Sequence, residues 1–454
     1  MAGISFDGVL VIGLVAVAVP AVCGWWPGFP VPGAVLEVIA GIVIGPSALG
    51  WVHVDAAVQV LSDLGLGMLL FLAGLEIDVQ RLRGPLGRVA GAAFAVSAVL
   101  GLLCAIGLGL AGLASQPLFL AIVLISTSAG LLLPLLKDAG AESTQFGQLV
   151  MTAAALAEVV PILLLSLLFS AASKTSAQRI ASLAVFLLLL VTVGLALGRV
   201  RRLEGLERLL NRLDDQSAQL RVRAALTLAL GFGVLAYRFG FASILGAFAA
   251  GLLVRMIDIT GHTPHPQFEI KLQGIGFGFL IPIFFITTGI GFDLPALLGH
   301  PAALAEVPLF LLALLVVRGL PALLYTRLIG RRLIPVAGLM QATTLTFVIV
   351  ASQVGLATGH ISAATSASLL TAALLSAAVF PAAAMRLLAH DRQQASEPPS
   401  PDRQALAGPP AAGPGPRRLP ARRGIGGTPS AWAALTRLAS RRGRDRRAPQ
   451  DEDQ

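Results

Sequence analysis

Thirteen apolar runs, most of them near the length of a membrane-spanning helix, dominate this 454-residue chain. They cover roughly 4–23, 31–45, 60–77, 89–112, 117–136, 147–170, 181–199, 222–237, 241–256, 273–290, 303–326, 333–353 and 363–388. A helix needs about 20 apolar residues to cross the hydrocarbon core of a bilayer. Barrel strands would instead alternate in polarity over about ten residues, and these runs do not. Several contain Gly and Pro, which helices tolerate better in lipid than in water. Composition agrees. Only 13% of the residues are charged, 56% are hydrophobic, and the mean hydropathy is +0.82. A soluble chain carries about a quarter charged residues. A soluble enzyme, a disordered chain and a nucleic-acid domain are excluded. The expected fold class is an all-α polytopic membrane protein with about 13 transmembrane helices.

The net charge of +9 misleads as an average. Residues 391–454 hold twelve Arg and seven acids and are rich in Pro, Ala and Gly. They read as a disordered, basic cytoplasmic tail, whose Arg clusters could touch anionic lipid. Residues 1–390 then form the transmembrane domain. Its loops alternate sides, and sixteen basic residues fall on one side against three on the other. By the positive-inside rule the N-terminus lies outside and the tail inside a cytoplasmic membrane. Trp25, Trp26 and Trp51 fall at span ends, where interfacial indoles belong. The N-terminus has no basic n-region, so the first run is expected to be retained rather than cleaved. Cys23 and Cys104 lie inside apolar runs as small apolar residues. His262 and His265 read as plain loop residues.

An internal repeat is visible. The third run holds Gly65-Leu-Gly67, Phe71, Gly74 and Asp78; the tenth holds Gly276-Phe-Gly278, Phe284, Gly289 and Asp293. An odd offset of seven spans points the copies in opposite directions. The chain therefore reads as inverted six-helix repeats, about 4–170 and 222–388, joined by a linker helix at about 181–199. Secondary transporters are often built this way.

An ionisable residue inside a span is costly and marks function by default. Glu37, Glu158 and Arg318 stand out; Glu306 lies near a span end and could reach water. Glu158 falls about 18 Å into the sixth run at about 1.5 Å per residue, near mid-membrane. A carboxylate there, with a cation near it, can trade a proton for a metal cation. Arg318 stays protonated and suits a fixed counter-charge; a plain interhelical salt bridge is the structural alternative. Pro161 and Pro321 each follow three residues later, and a helix proline frees the carbonyl four residues back. These are the carbonyls of Ala157 and Val317, possible ligands for a hard cation. Polar breaks interrupt the fifth run at Ser126-Thr127-Ser128 and the twelfth at Gln341-Ala-Thr343-Thr344. Half-helix ends at such breaks bind ions or neutralise charge; hydroxyl back-bonding within intact helices is the plainer alternative.

The sequence resembles the monovalent cation:proton antiporter family 2, the bacterial sodium/hydrogen exchanger type. The second run carries the resemblance with Glu37, Gly41, Gly45, Pro46, Ser47 and Gly50. The third carries it with Leu70-Phe71-Leu-Ala-Gly74-Leu75-Glu76-Ile-Asp78, and the tenth with Pro282-Ile-Phe284-Phe285 and Gly289. Of these, Glu37, Gly45, Pro46, Gly74 and Asp78 form the structural motif. The resemblance spans about residues 4–388. It implies a dimerisation panel, a mobile core with two crossed broken helices, an ion-binding carboxylate on the sixth helix and a basic residue on the eleventh. Glu158 and Arg318 fall at those two places. Ser126, Thr127, Ser128, Thr343, Thr344 and the Ala157 backbone fall around the implied ion site.

The sequence departs from the family twice. Ala157-Glu158 stands where an Asp usually follows Asp, Asn or Gln, and Gln341-Ala-Thr343 stands where many members have Arg-Gly-Glu. One carboxylate in place of two suggests electroneutral one-for-one exchange. The expected function is a secondary active transporter exchanging H+ for Na+ or K+ by alternating access. It would work as a homodimer, with no enzymatic activity, no cofactor, no metal beyond its cargo and no nucleic-acid partner. Alternatives are transport of another solute on the same fold, or a membrane sensor that transports nothing.

Overall fold

The computed structural model describes residues 6–25, 31–77, 82–112, 116–169, 176–201, 219–259 and 266–396. All regular elements among these are helical. Ten spans are long and apolar enough to cross a membrane, and three shorter apolar helices cover Gly33–Ile44, Ala181–Ala196 and Ser243–Met256.

The chain begins with α1 (Asp7–Trp25), α2 (Gly33–Ile44), α3 (Ala56–Glu76) and α4 (Pro85–Leu110). A broken pair follows, α5 (Pro117–Leu124) and α6 (Ala129–Asp138), and then α7 (Gln145–Leu168). Next come α8 (Ser176–Arg201), α9 (Leu220–Arg238), α10 (Ser243–Ile259), α11 (Pro266–Ile275) and α12 (Ile281–Ile290). The last third holds α13 (Leu294–Leu298), α14 (Pro301–Leu314) and α15 (Thr326–Ile329), then a second broken pair, α16 (Ile334–Gln341) and α17 (Thr346–Ala357), and α18 (Ala363–Ser396).

Local chemistry sets many of these starts. The Asp55 carboxylate accepts from the Val58 N–H at 2.8 Å and caps α3. The Thr144 hydroxyl accepts from the Gly147 N–H at 3.1 Å and caps α7. Each satisfies one of the orphan donors of a helix start. Proline opens α4, α5, α14 and α16, where its missing N–H costs nothing.

Small residues fix the closest helix contacts. Gly41 on α2 and Gly289 on α12 face each other, and a Cβ on either would run into the opposite backbone. Gly45 meets Ile290 in the same way. Gly74 on α3 lies against the Phe248 carbonyl of α10, and Gly251 lies reciprocally against the Phe71 carbonyl. Gly45 and Gly74 are thus close-approach points between helices, as small residues often are in membranes. Pro46 enters the turn after α2.

The proline-bearing helices do not simply kink. Before Pro282 the backbone is π-helical over Gly276–Leu280. Before and around Pro321 it is π-helical over Leu315–Gly319 and then 3-10 over Leu320–Tyr325. Widening and tightening the turns in this way re-satisfies backbone groups that the proline leaves without partners.

The helix α18 runs to Ser396, so 391–396 are helical rather than part of a tail beginning at 391. Asp78, Trp26, His262, His265 and residues 397–454 lie outside the described residues.

Candidate functional site

The two broken helices cross at their breaks and are sewn together there. The Ser128 N–H donates to the Thr343 carbonyl at 3.1 Å. The Ser126 and Thr344 hydroxyls lie 2.9 Å apart as a hydrogen-bonded pair. The Thr127 hydroxyl donates to the Gln341 carbonyl at 2.5 Å. The Ser128 hydroxyl accepts from the N–H groups of Leu345 and Thr346, at 2.9 and 3.1 Å. Ser128 immediately precedes α6, yet its side chain caps the start of α17 on the other broken pair. Ser376 of α18 completes the junction: its hydroxyl bonds both the N–H and the carbonyl of Thr344. Unwound backbone inside a bilayer must find its partners within the protein, and here hydroxyls supply them.

Glu158 on α7 stands beside this crossing, only 4% exposed. Its carboxylate faces the backbone N–H of Ala129, the first residue of α6. A half-helix N-terminus is a favourable place for negative charge. Two cavities reach Glu158. The larger, about 440 Å³, is also walled by Glu37, Glu76, Asp138, Phe285 and Thr346. The smaller, about 280 Å³, is walled by Glu76, Thr152, Lys137, Glu142, Arg255 and Glu269. Both run toward the end of the protein that carries Lys137 and Asp138, at the close of α6.

Arg318 lies in the π-helical stretch and is 3% exposed. Its Nε donates to the Thr127 hydroxyl at 2.9 Å, its Nη1 to the Ser97 hydroxyl at 3.0 Å and its Nη2 to the Gln341 side-chain oxygen at 2.5 Å. The guanidinium also lies 5.8 Å from the centre of the Phe94 ring. All three bonded partners are neutral, so the simple salt bridge to Glu158 is not the geometry seen here.

The carbonyl of Ala157 accepts from the Thr127 N–H at 3.1 Å. The freeing effect of Pro161 is therefore used to hold the crossing against α7. Similarly, Ser126, Thr127, Ser128 and Thr344 spend their hydroxyls on the junction, and Thr343 bonds back to the Leu339 carbonyl at 3.1 Å. None of these five lines either cavity that reaches Glu158. Thr152 and Thr346 do.

Glu76 is the residue that reading the sequence passed over as a site. It ends α3, where a carboxylate looks solvated, but the fold turns it into both cavities and near enough to Glu158 for their charges to interact. Glu269 and Lys137 in turn act on Glu76. Glu306 also differs from expectation: it is buried, and one of its carboxylate oxygens has no partner. Among the described residues no group of three His, Cys, Asp or Glu could hold a resident metal ion.

A helical membrane domain with a buried carboxylate at the crossing of two broken helices has the architecture of a secondary carrier. The family model described as "Sodium/hydrogen exchanger, transmembrane" matches residues 13–389, and the chain belongs to that family. It is 29% identical over 408 residues to the putative Na(+)/H(+) antiporter YjbQ of Bacillus subtilis, covering 87% of this chain and 65% of that one. It therefore spans less than two thirds of that relative's length. It is 26% identical to an Na(+)/H(+) antiporter of Enterococcus hirae, covering 72% of this chain and 80% of the relative. It is also similar, at 28% identity over 64% of its length and 46% of the relative, to the glutathione-regulated potassium-efflux protein KefC of Klebsiella pneumoniae. The fold matches the sodium proton antiporter MjNhaP1 of Methanocaldococcus jannaschii with a TM-score of 0.56 at 14% identity. That match covers 85% of this chain and 97% of the other.

Proposed function

We propose that this protein exchanges protons for Na+ or K+ across the cytoplasmic membrane by alternating access, with Glu158 as the shared binding group. The observation that carries the reading is the placement of Glu158. It is a buried carboxylate reached by two cavities from one end and faced by the N-terminus of α6. Such a group holds a proton or a cation but not both, and exclusive occupancy couples the two fluxes. Either occupant neutralises the carboxylate, so the core crosses the membrane only when loaded, because an uncovered charge is costly to carry through lipid. Arg318 supplies a fixed positive charge near the empty site. Thr152 and Thr346 stand in the same cavities as neutral oxygen donors for a hard cation.

The relatives' names, which include Na(+)/H(+) antiporters and a potassium-efflux protein, support both candidate cations. The basic loops support an N-terminus outside and the cavities open to the cytoplasm. The matching breaks in the fifth and twelfth runs support thirteen spans built as inverted repeats, and the family resemblance supports a homodimer. The test is exchange in proteoliposomes holding a pH gradient. Na+, K+ and Li+ are added in turn, and the collapse of the gradient is followed by dye fluorescence. Glu158→Gln should abolish the response to every cation; full exchange by that variant would overturn the assignment.

A further inference from the structure

Arg318 presents a physical problem. It is a buried guanidinium inside an apolar span, with no ion-pair partner among the described residues, and burying an unpaired charge is among the costliest arrangements a protein can make. The structure answers it with one residue in particular. The side-chain oxygen of Gln341, 1% exposed, accepts from Arg318 Nη2 at 2.5 Å. Its Nε2 donates to the Val150 carbonyl on α7 at 2.8 Å. Its backbone carbonyl accepts from the Thr127 hydroxyl, which itself accepts from Arg318 Nε. Three of these bonds close a ring through the arginine and both broken helices, and the fourth ties Gln341 to α7.

The ring demands an amide. Guanidinium can only donate and the Val150 carbonyl can only accept, so the residue between them must accept on one arm and donate on the other. A carboxylate would satisfy Arg318 and leave the Val150 carbonyl facing negative charge. A hydrocarbon would satisfy neither. A carboxylate would also consume the arginine's charge in an ion pair, whereas an amide solvates the charge without cancelling it.

We propose that Gln341 is a positioning residue that holds Arg318 as an uncancelled cation at the crossing, bonded to Thr127, whose N–H in turn holds the Ala157 carbonyl next to Glu158, so that the charge favours the empty carboxylate through the transport cycle. This rests on the exchange reading of Glu158. The titratable groups around the pair are Tyr325, which interacts with Arg318, and, in the cavities that reach Glu158, Glu76, Glu37, Asp138, Lys137, Glu142, Arg255 and Glu269. None contributes to the ring.

The experiment uses the full-length protein in proteoliposomes and in detergent. Gln341→Glu should retain cation-driven exchange, with its pH profile displaced by about one unit to higher pH. The arginine's charge would then be spent on the new carboxylate and would no longer favour the ionised form of Glu158. Gln341→Met, similar in length and shape, should lose exchange about tenfold or more, and Gln341→Glu should recover most of that loss. A Gln341→Glu profile superimposable on the parent, or full-rate exchange by Gln341→Met, would overturn the proposal. A melting cycle over Gln341→Met, Arg318→Met and the double variant reads the contact without transport. The two effects on Tm should be strongly non-additive, and simple additivity would overturn it. Loss of all exchange by the parent would count against the exchange reading alone, since the melting cycle still reports whether Gln341 holds Arg318.

Discussion

The backbone N–H of Thr127 donates to the carbonyl of Ala157 at 3.1 Å, tying the break between α5 and α6 to the residue next to Glu158. In an uninterrupted α7 that carbonyl would serve the N–H of residue 161, but Pro161 has none. The proline and the crossing are two halves of one device. One vacates an acceptor, and the other fills it with a donor that the bilayer would otherwise leave unpaired.

Restoring the missing donor should therefore be harmful. Pro161→Ala is a favourable change for an isolated helix, yet here the new N–H competes with Thr127 for Ala157. We expect exchange to fall about fivefold or more, with a loss of about 1–2 kcal/mol in stability from the weakened Thr127 bond. Initial rates in proteoliposomes and melting in detergent check it; a faster, more stable variant would contradict the account.

Ser128 caps a helix to which it does not belong. Ser128→Ala strands the N–H groups of Leu345 and Thr346 and should cost about 2–3 kcal/mol. Ser128→Thr keeps the acceptor and should lie closer to the parent. Thermal unfolding of the two purified variants distinguishes a cap from a passive small residue, for which the order would reverse.

Glu76 shares both cavities with Glu158. Glu76→Gln should weaken cation capture, raising the half-saturating Na+ or K+ concentration roughly threefold to tenfold through the lost attraction. The maximal rate should change much less. The cation dependence of exchange measures both, and an unchanged half-saturation point would remove Glu76 from the pathway.

Replacing Gly74 tests the close approach of α3 and α10. Gly74→Ala would drive a methyl into the Phe248 carbonyl, and overpacking of that kind costs typically about 1–3 kcal/mol. Lower Tm and lower yield from membranes are the expected signs, with residual exchange per folded molecule close to the parent.

Much of this could be read along the chain because lipid makes its demands locally. A run of apolar residues, a polar break at mid-run, or a lone Glu or Arg inside a run each carries its meaning within one helix. Glu158, Arg318 and the two breaks were visible for that reason. The partners of those groups were not, because they are set by which helices meet. Nothing in the sequence couples Gln341 to Arg318 or Ser128 to Thr346. Glu76 escapes because its position at a helix end says water, and only the cavities it lines together with residues of α6 and α7 say otherwise. The hydroxyls at the breaks lie at the crossing, where their bonds go to holding it together. Burial of Glu306 likewise depends on tertiary packing that a span end does not reveal.

The π-helical turn at Leu315–Gly319 has a further meaning for the chain's tolerance of change. A π turn holds more residues than the 3.6 of an α turn. Removing a single residue elsewhere in an α-helix swings everything beyond it by about 100° around the axis. Removing one from Leu315–Gly319 could instead relax the turn to plain α-helix and leave both flanks facing as before. The helix that aims Arg318 thus contains, at that residue, its own slack: the one place where its length can change without changing its aim.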